Sequence, residues 1–334
     1  VNNVSATKTA PQPMLEVLRC GILTSVQDLG RHGHRHLGIS QCGALDTVAL
    51  QQANLLLGNA PGAAGLEISV GPVHLRFHAD AVIVLSGVDF APTLHDPTGA
   101  ASNDPVLTGH RVSIPAGSTL SLTRPAIPGA RCYLAVAGGI DVPLVLGSRS
   151  TDLKAGFGGH EGRALEAGDL LPLGTARLLK ANASRGVRGL APTHVLRALP
   201  GPDYEQFTAA SHTQFWMQPW RISHQSNRMG MRLNGASLQL RAPLSLLSSG
   251  VLPGDVQVPS DGLPIVLASD CQTIGGYPRI ASVIRADLWQ LAHLPPLTSV
   301  YFQPVTHAVA RAALDRQTRY LARLAQVMQQ EFGQ

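Results

Sequence analysis

The stretch QVPSDGLPIVLASDCQTIGGYP, residues 257–278, holds the densest group of side chains suited to chemistry. A short apolar run, Leu263 to Ala268, reads as a buried strand; it delivers the chain into Asp270, Gln272 and Thr273, then Gly275, Gly276, Tyr277 and Pro278. A strand that ends in a carboxylate, an amide, a hydroxyl and two glycines brings polar groups and open backbone to one point, the usual place for a binding loop. The competing reading makes Gly275-Gly276 a turn and Asp270 its local hydrogen-bonding partner. Cys271, alternating after the buried strand, reads as a packing thiol rather than a nucleophile.

Further polar clusters accompany it. Arg149, Ser150, Thr151 and Asp152 lie together in LGSRSTD, and Ser226 to Gly230 forms a polar turn whose Arg228 suits an anion. Asp28 sits in QDLGR just after an apolar segment, Leu15 to Val26. The glycines Gly158, Gly159 and Gly162 make a flexible loop, but no GK[ST] follows and the phosphate-loop signature is missing. His32, His34 and His36 alternate with no carboxylate near in sequence, which favours a surface loop over a metal site. Cys20, Cys42, Cys132 and Cys271 are too far apart for a zinc pattern, so no metal site is expected and a reducing, cytoplasmic setting is.

The elements that must position these groups are mostly strands. Between residues 65 and 122, short apolar runs alternate with Gly and Pro turns at the spacing of a barrel or sandwich. Two helices stand out: Thr47 to Leu57, with Asp46 as its N-cap, and Val309 to Gln330, with Leu314, Leu321, Leu324 and Met328 on one stripe. A chain of 334 residues favours two cores. The expected division is a disordered tail at 1–13, a first β-barrel at 14–185, a second at 186–305 and a C-terminal helix at 306–334.

Charge excludes some classes. Charged residues are 14 % of the chain and the excess of 26 Lys+Arg over 21 Asp+Glu forms no dense stripe, which argues against nucleic acid. No apolar run is long enough for a membrane helix. Much of the basic excess is arginine, including Arg31, Arg35, Arg149, Arg228, Arg279 and Arg285, as suits a small anionic substrate or an acidic partner.

SVQDLGRHG at 25–33, CGALDTVALQQANLLLGN at 42–59, AVAGGIDVPLVLGSRSTDL at 135–153, SNRMGMRLNG at 226–235 and the long motif at 254–283 together resemble the biotin-dependent carboxyltransferase-like family. That family includes allophanate hydrolase subunit 2, also described as the C subunit of bacterial 5-oxoprolinase, and part of urea carboxylase. The resemblance implies a mainly β fold of two cyclophilin-like barrels related by a pseudo-twofold axis. It also implies partners, 5-oxoprolinase subunits B and A, with ATP and Mg in the assembly, and allows the B–C unit to self-associate.

The implied reaction opens 5-oxo-L-proline to L-glutamate. It needs positive charge around developing negative charge and a carboxylate for a proton. Arg149, Arg228 and Arg279 are the charge-stabilising candidates and Asp270 the acid/base candidate. Gln272, Thr273, Gly275, Gly276, Tyr277, Ser226, Ser150, Asp152 and Asp28 are the substrate-binding candidates. Two alternatives stay open: carboxyl transfer from carboxybiotin to urea or a related amide, and a scaffold that regulates a kinase. Lys154 and Lys180 are the only lysines after Lys8 and neither lies in a biotin-acceptor motif, so biotin would have to arrive on another protein. The chain departs from the family pattern at Cys42, where the motif has serine, and near Leu45, where it has methionine.

Overall fold

The computed structural model describes residues 12–102, 104–176 and 186–332. The expected tail lies almost entirely outside the described residues, as does most of the expected boundary segment near 180–189.

The second half is a closed ring of strands in the order Val195–Pro200, Arg279–Val283, Asp255–Gln257, Ile265–Leu267, Gly230–Asn234, Trp220–Ile222 and Ser299–Pro304. The ring is closed by a parallel pair, in which Val195 faces Tyr301 and Ala198 faces Pro304. Leu196, Ala198, Val256, Val266, Ile280 and Phe302 point inward and form its core with Phe215 and Trp220. Phe215 belongs to a helix at Ala209–Met217 within a stretch where the sequence signals only apolar packing.

The first half pairs as two five-stranded sheets. One runs Leu170–Pro172, Met14–Ile22, Val70–Phe77, Thr119–Leu122, Pro92–His95; the other runs Ser25–Gln27, Gly65–Ile68, Cys132–Val136, Ala81–Gly87, Arg111–Ile114. Both feed one core, including Leu15, Val17, Leu66, Ile68, Leu75, Phe77 and Leu134. The expectation of two closed barrels is thus met in one half, while the described strands of the other form two facing sheets. Both edge strands of the first sheet contain a proline, Pro92 and Pro172, which cannot donate to a further ladder. The long strand Met14–Ile22 also carries register shifts after Val17 and Cys20 that bend it.

Two helices tie the halves together. Helix α1, Thr47–Leu56, is capped as expected: the Asp46 carboxylate accepts from the backbone N–H of Val48 (2.9 Å) and Ala49 (2.8 Å). The C-terminal helix, His307–Phe332, packs Met328 against Ala53, Leu56 and Leu57 of the first half and Ala313 against Ile284 and Ala286 of the second. Tyr320 accepts from Gln52 of α1 at 2.7 Å. No helix among the described residues is long and apolar enough to cross a membrane.

Candidate functional site

Arg228 and Asp270 meet because the antiparallel pairing of Gly230–Asn234 with Ile265–Leu267 runs on past its strand ends. Gly230 faces Leu267, Ala268 N–H donates to Met229, and Asp270 N–H donates to Arg228. The guanidinium then binds both carboxylate oxygens, Nε to Oδ2 and Nη2 to Oδ1, each at 2.8 Å. Its Nη2 also donates to the Gly43 carbonyl at 2.6 Å, and its Nη1 to Glu67 Oε1. Arg228 and Asp270 are each 5 % exposed and Glu67 is fully buried, so the cluster lies at a dry boundary between the halves.

Glu67 is the centre on the first-half side. Its Oε1 is 3.1 Å from Arg131 Nε, and its Oε2 accepts from Leu45 N–H and from the Tyr133 hydroxyl, both at 2.9 Å. Tyr133 accepts in turn from Asp46 N–H at 2.8 Å, and Asp46 Oδ2 is 2.7 Å from His293 Nε2 in the second half. Burial pushes the Glu67 carboxyl upward, but Arg228 and Arg131 outweigh it and hold Glu67 below the usual carboxylate range. Burial raises Asp270, against the pull of Arg228. Two guanidiniums thus balance two carboxylates out of water, an arrangement that fixes geometry more than it adds stability.

The loop from Arg31 to Gly43 is clamped over this cluster. Arg35 donates to the carbonyls of Val251 and Gln272 (2.5 and 2.9 Å), Ser40 to that of Cys271 (3.1 Å), and Cys42 N–H to that of Ser269 (3.1 Å). Cys42 and Gly43 both adopt positive φ, at 56° and 91°. Gly43 can do so freely, whereas Cys42 is held there.

The remaining candidates fall into separate groups. Asp28 is buried and collects Gly30 N–H, Ser148 Oγ, Ser150 Oγ and Arg149 N–H at 2.5–2.7 Å, while Asp152 accepts from Lys154 and Ala155 N–H. These two, with Ser150, shape one loop system. The Arg149 side chain turns away from it, to Val142 O and Asp141. Arg279 binds Gly250 O at 3.0 Å and lies 3.7 Å from both Asp203 and Asp255. Gln272 donates to Gln257 at 3.2 Å, and Ser226 closes its own turn through Arg232 N–H. Thr273 is buried, Tyr277 is 52 % exposed, and Gly275 pairs with Ser249 in a two-stranded ribbon next to Gly276. The three chosen arginines therefore serve three networks, and only Arg228 shares one with Asp270.

Sequence reading passed over Glu67, Arg131, Tyr133 and His293. Glu67 had a signal: it is the one charge inside GLEISV, an otherwise small and apolar strand, where an acid needs a buried partner.

A cleft of about 540 Å³, small-molecule size, is lined by Gln41, Cys42, Ala44, Leu45 and Ser269, the chain neighbours of Gly43 and Asp270 in the cluster. Arg285, Leu288 and Trp289 form another wall, and Gln317 and Leu321 of the C-terminal helix line it as well. Among the described residues no group of three or more His, Cys, Asp or Glu could hold a metal ion. Burial pushes the Cys42 thiol far up, with Asp270 and Asp152 adding to the effect; Cys271 is pushed up to about 11 and Cys132 to about 12 by burial. At pH 8 a thiol reagent is therefore expected to modify only half-buried Cys20 in the native protein, and all four cysteines after denaturation. Rapid native labelling of Cys42, read by peptide mass, would show an open and ionisable thiol there instead.

A closed barrel joined to paired sheets, with a charged knot at the junction and a small-molecule cleft lined by its chain neighbours, is the build of an enzyme component. The chain belongs to the carboxyltransferase family described as "Carboxyltransferase domain, subdomain A and B", which matches residues 37–304. It is 49 % identical to the 5-oxoprolinase C subunit of Escherichia coli over 312 residues, covering 93 % of this chain and 98 % of that protein. It is 37 % identical to the Haemophilus influenzae protein of the same name, across 95 % of this chain and all of that protein. Among solved structures it resembles the K. lactis urea amidolyase, with a TM-score of 0.84 and 28 % identity over 95 % of this chain; it spans about a fifth of that larger protein, 20 %.

Proposed function

We propose that the chain is the C subunit of an ATP-dependent 5-oxoprolinase and works with subunits A and B to convert 5-oxo-L-proline to L-glutamate. The observation that carries this reading is the end-to-end match to the E. coli C subunit, which covers 98 % of that protein. Opening a lactam means breaking a resonance-stabilised amide, and ATP makes this feasible by activating the amide oxygen before water attacks. ATP and Mg belong to the assembled complex in this proposal, the complex is cytoplasmic, and the B–C unit is able to self-associate.

Within this chain the Arg228–Asp270–Glu67 cluster acts by holding the floor of the cleft. Both Asp270 oxygens are occupied by Arg228, so Asp270 serves as a positioning residue rather than as a free base. The paired sheets and the barrel are proposed as the two domains, with residues 14–185 and 186–305 as their respective spans. The likeness to urea amidolyase supports a second reading, carboxyl transfer from carboxybiotin.

The test is ATP hydrolysis by the purified chain combined with its A and B subunits, with and without 5-oxo-L-proline, while glutamate is followed. Stimulation that disappears when this chain is left out is the expected result. A verified assembly that ignores 5-oxo-L-proline but consumes bicarbonate with a biotinylated partner would overturn it in favour of carboxyl transfer.

A further inference from the structure

Of the arginines noted in the sequence, all but one are engaged by protein acceptors. Arg31 donates to Ser150 O and lies over the Phe157 ring, and Arg35, Arg149, Arg228 and Arg279 are bound as described above. Arg285 is exposed, lines the 540 Å³ cleft, and its guanidinium makes no hydrogen bond or ion pair with any described residue. His32 lines the same cleft, is exposed and is likewise without a protein partner among the described residues. The cleft's lining contains no Asp or Glu, while Leu29, Leu45, Leu288 and Trp289 provide apolar contact.

A free guanidinium and an imidazole in an acid-free pocket with an apolar wall match a small molecule that has a carboxylate at one end and a compact apolar body. Arg285 is well placed to be specific. It begins a 3-10 helix, Arg285–His293, whose buried Asp287 is bound by Arg197 of the second half and whose His293 is paired with Asp46 of the first, so the helix is anchored to both halves. Gln41 and Gln317 line the same cleft, and Gln317, whose amide N–H donates to the Ala286 carbonyl, keeps its carbonyl as an acceptor.

We propose that Arg285 is the carboxylate-recognising residue of this cleft, assisted by His32, and that it discriminates substrates bearing a carboxylate from those lacking one. Resting on the 5-oxoprolinase reading, the carboxylate is that of 5-oxo-L-proline, and the cleft receives the lactam ring against its apolar wall. Arg285 is then a specificity-determining contact, and the chemistry on the lactam is left to the assembled enzyme.

The experiment compares 5-oxo-L-proline with 2-pyrrolidinone, the same lactam without its carboxylate, in the A–B–C assembly. Equilibrium binding and substrate-stimulated ATP hydrolysis are both measured for the wild type, Arg285→Gln and Arg285→Lys. Loss of one charge-assisted contact is expected to weaken binding of 5-oxo-L-proline and raise its KM by about 10- to 100-fold, with kcat little changed. Pyrrolidinone should respond equally to all three proteins, and Arg285→Lys should recover part of the loss. Binding that falls in Arg285→Gln without wild-type turnover would uphold the subsite and defeat the 5-oxoprolinase reading. Normal wild-type turnover with an unchanged KM in Arg285→Gln would overturn the subsite and leave that reading intact. A wild-type assembly that binds neither compound would overturn the subsite.

Discussion

Arg228→Met is expected to destabilise the folded chain by about 3–5 kcal/mol, the usual penalty for leaving a buried charge without its partner. Glu67 keeps Arg131 at 3.1 Å, whereas Asp270 loses the guanidinium that holds both its oxygens. The cost therefore falls mainly on Asp270, and the double variant Arg228→Met/Asp270→Asn should recover much of it because Arg131 and Glu67 remain balanced. Urea unfolding midpoints with unchanged slope are the measurement. A loss under about 1 kcal/mol would mean that the pair behaves as a surface ion pair.

The same variant has a signed pH dependence. Burial already raises Asp270 in the wild type, and without Arg228 nothing opposes that rise. A carboxyl whose folded pKa exceeds its unfolded pKa contributes stability that is complete below the unfolded value and is lost as pH rises through the folded value. The deficit of Arg228→Met should accordingly be smallest in acid and grow towards neutral pH. Glu67 behaves oppositely in the wild type: its depressed carboxyl contributes above the unfolded pKa, and acidification through the folded pKa removes that contribution. A deficit that shrank with rising pH would contradict the assignment of the cost to Asp270.

Gly43→Ala is expected to cost about 2–4 kcal/mol and to abolish most activity of the assembled enzyme. At φ 91° an alanine adopts the left-handed region at about 1–2 kcal/mol, and its Cβ would lie 2.7 Å from Gly30 N and 2.9 Å from the Leu29 carbonyl carbon. These are backbone atoms, so neither side yields easily. The displaced Gly43 would pull its carbonyl from Arg228 and disturb Cys42 against Ser269, which moves the cleft floor. Gly33→Ala is the control, since Gly33 has φ 88° but open space around it. The difference between the two variants isolates the overlap, and equal unfolding midpoints and activities would show that the Gly30–Gly43 approach is unimportant.

Local signals were legible wherever one segment decides its own conformation. Asp46 before an apolar helix, the stripe Leu314–Leu321–Leu324–Met328, and the apolar run ending at Asp270 all act over a few residues, and the structure shows the cap, the docked helix and the strand. The ordered motifs likewise identified the family, because five of them occur in the same order along most of the chain. The helix at Ala209–Met217 was hidden because its apolar residues serve a barrel core rather than a clean helical face.

Periodicity, capping signals and ordered motifs specify a mainly β chain with short strands, a capped first helix, an amphipathic last helix, a packing thiol at Cys271 and membership of its family. Which polar residues meet depends on the tertiary packing. Glu67 and Arg228 are 161 positions apart, and Asp46 and His293 are 247 apart, so neither spacing nor periodicity links them. Arg149, Arg228 and Arg279 look alike in sequence, but side-chain direction and the halves' junction send them to different acceptors. The same packing leaves Arg285 free, because no carboxylate is brought into the cleft it lines.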